Sequence, residues 1–195
     1  IDPARVLGFG YSGGGYFLSQ YACRVGGVLK MVAIISGGAP ELRDGDQKRA
    51  NECVICPAGP IPMFISHGMA DTSEVPFEGG DFARICWAEQ NGCGNSSYSN
   101  IGGPCVAYKG CEKPVQWCAV PDLGHAPWNE SIGAAWAMFN GLWRIFAGRV
   151  LVSGAMAAAE TQRERDDDRE PLSSRFMRLL SREPNAPKRH EAPEV

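Results

Sequence analysis

The stretch Val6-Leu7-Gly8-Phe9-Gly10-Tyr11-Ser12-Gly13-Gly14-Gly15 constrains this chain more than any other. An apolar run meets a serine inside Gly-x-Ser-x-Gly and passes into a segment with helical spacing. A serine at the tip of a sharp strand-to-helix turn sits in strained backbone geometry, and only small neighbours avoid clashes there. Such a turn lifts the Ser12 hydroxyl above the end of the sheet, within reach of a base, and aims the Gly13 N–H at the place where an oxyanion would form. The plain alternative is a glycine-rich turn with an incidental serine, so the assignment depends on partners downstream.

Those partners come from the order of apolar runs. Arg5 to Phe9 reads as a buried strand and Gly14 to Arg24 as a helix, with Tyr16, Phe17, Leu18, Tyr21 and Ala22 able to share a face. Gly26-Gly27 supplies a C-cap. Met31 to Ile35 is a second strand closed by Ser36-Gly37-Gly38, and 41–60 is loop. Met63 to Ser66 is a third strand, ending at His67-Gly68-Met69-Ala70-Asp71. Phe82 to Gln90 is helical, 91–104 is a surface loop, and Val115 to Val120 is a fourth strand before Pro121-Asp122-Leu123-Gly124-His125. A last helix covers about Ser131 to Phe146. Alternating strands and helices imply parallel βαβ units, whose functional residues collect at the carboxyl ends of the strands. Ser12, Asp71 and His125 each follow such an end.

A serine hydroxyl needs a base to take its proton during attack. Of the three histidines, His190 lies in a charged tail and His67 in a strand-end turn, where packing or hydrogen bonding beneath the turn suits it; His125 is the candidate base. The chain order Ser…Asp…His supports His125, and Asp71, because it follows its own strand, is assigned as the residue that orients the imidazole and stabilises the imidazolium. Asp122, Glu74 and Asp81 are the rival acids, Asp122 being either loop-fixing or on the substrate side. Tyr11 and Trp128 are also expected on the substrate side.

Eight cysteines, with Cys53-x-x-Cys56 as the one Cys-x-x-Cys pair and no His-x3-His, suit disulfides rather than zinc, and hence an oxidising, secretory compartment. Cys93 and Cys111 flank a glycine-rich loop that a bridge would clamp. Cys23 is expected to pair with Cys53 or Cys56, while Cys86 and Cys118 read as buried thiols. Asn95-Ser96-Ser97 and Asn129-Glu130-Ser131 match the glycosylation sequon. A net charge of −3 carries no basic footprint for nucleic acid. Arg144 and Arg149 within the apolar stretch 138–159 argue against a membrane span. No cofactor and no metal are expected. Residues 149–195, rich in mixed charge and poor in large apolar groups, are expected to be disordered, with 173–181 either a solvated tail or a transient amphipathic helix for a partner. The folded part is then 1–148.

Four motifs in register carry a family resemblance. Gly8 to Gly15 with Tyr21-Ala22-Cys23 and Ile35-Ser36-Gly37-Gly38 resembles the nucleophile region of secreted feruloyl esterases, in the polyhydroxybutyrate-depolymerase-like group of α/β-hydrolases. His67-Gly68-Met69-Ala70-Asp71 is similar to that family's acid loop. Gln90-Asn91-Gly92-Cys93, Tyr108-Lys109-Gly110-Cys111, Pro114-Val115-Gln116-Trp117 and Gly124-His125-Ala126-Pro127 follow in family order. The resemblance implies the carboxyl-terminal half of an α/β-hydrolase fold, a mostly parallel sheet with flanking helices. Its implied activity is a serine esterase acting on feruloylated polysaccharide or oligosaccharide. Acetyl-xylan or polyhydroxyalkanoate esters are the alternatives within the class, and a truncated, non-catalytic fragment is the alternative outside it. The family carries a further amino-terminal half, with the first strands and a second oxyanion donor, so the expectation is an absent partner half and a bare edge on the first strand.

Overall fold

The computed structural model describes residues 2–73, 75–94 and 98–142, all within the compact unit Ile1–Arg144. Expectations that fall on Glu74, on the Asn95 sequon, on the end of the last helix and on everything from residue 143 onward, including the tail at 149–195, lie outside the described residues.

The elements run β1 (Leu7–Tyr11), α1 (Gly13–Arg24), β2 (Met31–Ile35), β3 (Met63–Gly68), α2 (Phe77–Gln90), β4 (Tyr98–Gly102), β5 (Cys105–Tyr108), β6 (Val115–Val120) and a helix over 131–142, here α3. They form one sheet in the order β1-β2-β3-β6-β5-β4. The strands β1, β2, β3 and β6 are parallel, and β5 and β4 continue the sheet antiparallel. This is the sheet of an α/β-hydrolase fold, with β1 at one edge among the described residues.

Strand β2 shows why the layers form. All five of its residues are buried, because side chains alternate between faces and both faces are covered. Val32 and Ile34 point to the layer of α1 and α2, where Ala22, Cys23 and Trp87 pack with Met63, Ile65 and Val115. Met31, Ala33 and Ile35 point the other way, onto Ala135, Met138 and Phe139 of α3. Trp87 is fully buried and donates its indole N–H to Ser19 Oγ at 3.0 Å, which explains a buried serine in the middle of α1. Asn91, at the end of α2, is also fully buried; it donates to Ile61 O (2.7 Å) and accepts from Ile61 N (3.1 Å), fixing the entry to β3. Among the described residues no helix is long and apolar enough to cross a membrane.

Several expectations need correction. Strand β1 starts at Leu7 rather than Arg5 and runs on to Tyr11, because Gly10 and Tyr11 pair with Ile34 and Ile35. Phe17 does not share the buried face of α1: it is 65% exposed and stacks on Tyr21, while Gly15, Ser19, Ala22 and Cys23 face the sheet. The segment 91–104 is not all loop. It contains β4, a mostly exposed strand with no apolar alternation to betray it. Gly102 and Gly103 turn it into β5, with φ of 106° and 54° that glycine adopts at little cost. Cys86 and Cys118 are not free thiols. The described bridges are Cys23–Cys56, Cys53–Cys86, Cys93–Cys111 and Cys105–Cys118. Cys53 takes Cys86 of α2 as partner, so the loop 41–60 is fastened to both helices on one face. Cys105 and Cys118 are register partners on β5 and β6, where cross-strand neighbours lie close enough to bridge.

Candidate active site

Each of the four parallel strands is followed by a polar group at their common carboxyl edge: Ser12 after β1, Ser36 after β2, Asp71 after β3 and His125 after β6. Ser12 sits between β1 and α1 at φ 53°, ψ −122°, a conformation that L-residues avoid unless the surroundings enforce it. The enforcement is visible. Ser12 N–H donates to Ile35 O (2.9 Å), and Gly15 and Tyr16 N–H groups donate back to Ser12 O (2.9 and 3.1 Å). A Cβ on Gly10 would lie 2.4 Å from Gly14 O, so the first glycine of the motif is required by close backbone approach. A Cβ on Gly13 or Gly14 would meet nothing within 4 Å. Those two residues open α1, where amide donors have no intrahelical partner.

His125 approaches this turn from the loop after β6. Its Nε2 is 2.9 Å from Ser12 Oγ and its Nδ1 is 2.7 Å from Asp71 Oδ2. A carboxylate only accepts, so Nδ1 carries the proton and Nε2 offers its lone pair to the Ser12 hydroxyl. The His125 side chain is one-quarter exposed, whereas that of Asp71 is fully buried. Burial pushes the Asp71 carboxyl up, but hydrogen bonds from Ser73 and His125 outweigh it and leave its pKa lowered to about 2.

The histidine loop is held at consecutive carbonyls. Tyr11 Oη donates to His125 O at 2.9 Å, its ring centroid 5.3 Å from the imidazole. Ser36 Oγ, at the end of β2, donates to Ala126 O at 3.3 Å. The acid and histidine loops are laced together by Met69 N–H to Val120 O (2.8 Å) and Ala70 N–H to Leu123 O (2.9 Å). Gly68 is where they meet most closely, since a Cβ there would lie 2.2 Å from Leu123 O.

The structure thus brings Ser12, Asp71 and His125 into one hydrogen-bonded chain, with the Gly13 amide at its head. Tyr11 contacts the histidine loop. Asp122 is exposed in the turn after β6 at φ 55°, and Trp128 packs against the apolar cluster under α3; neither joins the chain. Asp81 pairs with Arg84 at 2.6 Å, which removes it as a rival acid. Asn129 is exposed. Ser36, whose hydroxyl holds the histidine loop, is a site-forming residue that sequence reasoning missed; His67, expected to pack or hydrogen-bond beneath its turn, does so as a further hydrogen-bond partner of Asp71. The signal for Ser36 was position, directly at the end of β2. Among the described residues no group of three His, Cys, Asp or Glu side chains is arranged to hold a metal ion.

No protein-family model matches the sequence. Two distant curated relatives are esterases. Feruloyl esterase B of Piromyces equi is 25% identical over 151 residues, covering 68% of this chain and 27% of that protein. Feruloyl esterase C of Emericella nidulans is 26% identical over 151 residues, covering 75% of this chain and 51% of that protein. The chain therefore spans about half or less of the relatives' length. Among solved structures, the acetyl xylan esterase from Aspergillus awamori superposes with a TM-score of 0.51 at 15% identity, over 71% of this chain and 61% of that one; the likeness is one of fold.

Proposed function

We propose that this chain carries the catalytic triad of a serine carboxylesterase, with feruloyl esters of plant cell-wall polysaccharide as substrates. The observation that carries the reading is the unbroken sequence of contacts from Ser12 Oγ through His125 to buried Asp71. Ser12 Oγ attacks the ester carbonyl while His125 Nε2 takes its proton. The imidazolium that forms is stabilised by the Asp71 carboxylate, whose lowered pKa keeps it charged. The carbonyl oxygen gathers negative charge as the tetrahedral centre forms, and the Gly13 amide at the head of α1 meets it. His125 then returns the proton to the leaving alcohol, and the ester becomes an acyl-Ser12. Water repeats the sequence with His125 as base and frees the acid. The feruloyl preference is supported by the two distant relatives, both feruloyl esterases. The four bridges among the described residues support work in an oxidising, extracellular compartment.

The test is labelling with a fluorophosphonate followed by peptide mapping, paired with hydrolysis of methyl ferulate and an acetyl ester. The adduct is expected on Ser12, and Ser12→Ala is expected to lose at least about 10⁴-fold in kcat. An adduct elsewhere, or turnover that survives Ser12→Ala, overturns the serine mechanism. Equal turnover of acetyl and feruloyl esters overturns the substrate assignment alone.

A further inference from the structure

Asp71 Oδ2 accepts from two imidazoles. Besides His125 Nδ1 at 2.7 Å, His67 Nε2 lies 3.0 Å away. His67 Nε2 also lies 3.0 Å from Val75 O. Both neighbours can only accept, so in the neutral ring Nε2 must carry the proton and share it between them. The other ring nitrogen is committed by its surroundings. Nδ1 is buried with no hydrogen-bond partner among the described residues. The backbone of α2 presses so closely on it that a Cβ on Gly80 would lie 2.1 Å away. Phe77 abuts the ring edge-on. His67 is therefore wedged in one orientation, 1% exposed, with its only N–H aimed at the carboxylate oxygen that also serves His125. Ser73 N–H occupies the other oxygen, Oδ1, at 3.0 Å.

A buried carboxylate on a loop three residues beyond its strand can rotate about χ2, which exchanges its oxygens. Ser73 holds Oδ1 through a backbone amide of the same loop and so moves with it. His67 belongs to β3, paired with β2 and β6, and among the described residues is the one donor to Asp71 that is fixed to the sheet. We propose that His67 is a positioning residue of the catalytic centre, whose Nε2–H locks the Asp71 carboxylate so that Oδ2 faces His125. This rests on the serine-esterase reading. It assigns His67 a role in rate rather than in substrate binding, because among the described residues its contacts are with Asp71, Val75 and Phe77 rather than with Ser12.

The experiment compares His67→Gln with His67→Leu in the full chain. Glutamine keeps an N–H near the Nε2 position, and leucine keeps bulk without a donor. Active sites are first counted by fluorophosphonate labelling, so that misfolded protein does not enter the rate; absence of Ser12 labelling in the unsubstituted chain would indict the parent reading instead. Per labelled site, His67→Leu is expected to lose up to about 10²-fold in kcat on methyl ferulate, with KM within about twofold, the cost of a misplaced catalytic group. His67→Gln is expected to stay within about threefold. Imidazole ¹⁵N spectra, simplified by there being three histidines, should show His67 as the Nε2–H tautomer. The His125 Nδ1–H resonance should persist in His67→Gln and broaden or vanish in His67→Leu. Equal kcat per site in the unsubstituted chain and His67→Leu overturns the proposal, as does a His67 proton found on Nδ1. If His67→Leu does not fold, the tautomer and the His67→Gln rate decide.

Discussion

At the scale of single residues, the site depends on where backbone strain and buried charge are concentrated. Asp71 is the clearest case, since its carboxylate is buried and still ionised. Asp71→Asn leaves shape almost intact but places a donor or a weaker acceptor against His125 Nδ1, favouring the wrong tautomer; kcat should fall by about 10⁴-fold with little change in KM. The same residue links stability to pH. Its pKa is lowered on folding from 3.8 to about 2, so the stability it contributes is complete above 3.8 and is lost as the pH falls toward about 2. Urea unfolding between those limits should show a shallower acid loss for Asp71→Asn than for the unsubstituted chain. The glycines of the nucleophile turn divide in the same way. Gly10→Ala drives a Cβ to 2.4 Å from Gly14 O, and is expected to cost roughly 1–3 kcal/mol and to slow fluorophosphonate labelling of Ser12. Gly14→Ala meets nothing within 4 Å, and should leave thermal stability unchanged or raise it by up to about 1 kcal/mol.

At the scale of elements, the disulfides do the work that packing cannot do in the glycine-rich segments. Cys93–Cys111 spans 18 residues and encloses the β4–β5 hairpin, whose outer strand is mostly exposed. Closing a loop of that size contributes about 3 kcal/mol by the chain-entropy argument. Replacing both cysteines by serine should lower stability by about that amount in urea unfolding. Cys105–Cys118 would still hold the hairpin to β6, so labelling of Ser12 should be retained.

At the scale of the whole molecule, β1 stands at the edge of the sheet among the described residues and carries the nucleophile turn at its end. Its outward apolar groups are partly open, with Phe9 39% and Tyr11 37% exposed. An open strand edge with apolar side chains is a template for strand addition. The chain is expected to associate with rising concentration, and Phe9→Lys to weaken that association, both measured by sedimentation velocity. A concentration-independent monomer would show that the β1 edge is protected by other means.

What the sequence determined by itself was everything encoded locally. Gly10-Tyr11-Ser12 requires a tight turn because a side chain at Gly10 would collide with the backbone. Val32 and Ile34 alternating with Met31, Ala33 and Ile35 announce a strand covered on both faces, and Gly26-Gly27, with φ of 56° and 62°, turn the chain away just beyond the C-cap Val25 of α1. Placing Ser12, Asp71 and His125 after three strands followed from the same local reading, because parallel strands deliver their ends to one edge. Tertiary structure decided what depends on residues far apart in the chain. Strand β4 has no apolar period, and exists because β5, itself paired with β6, offers it an edge. Cys53 found Cys86 rather than Cys23 because α2 lies over the same loop as α1. Ser36 and His67 became part of the site only when β2 and β3 lay side by side beneath the two loops, an adjacency that no local pattern encodes.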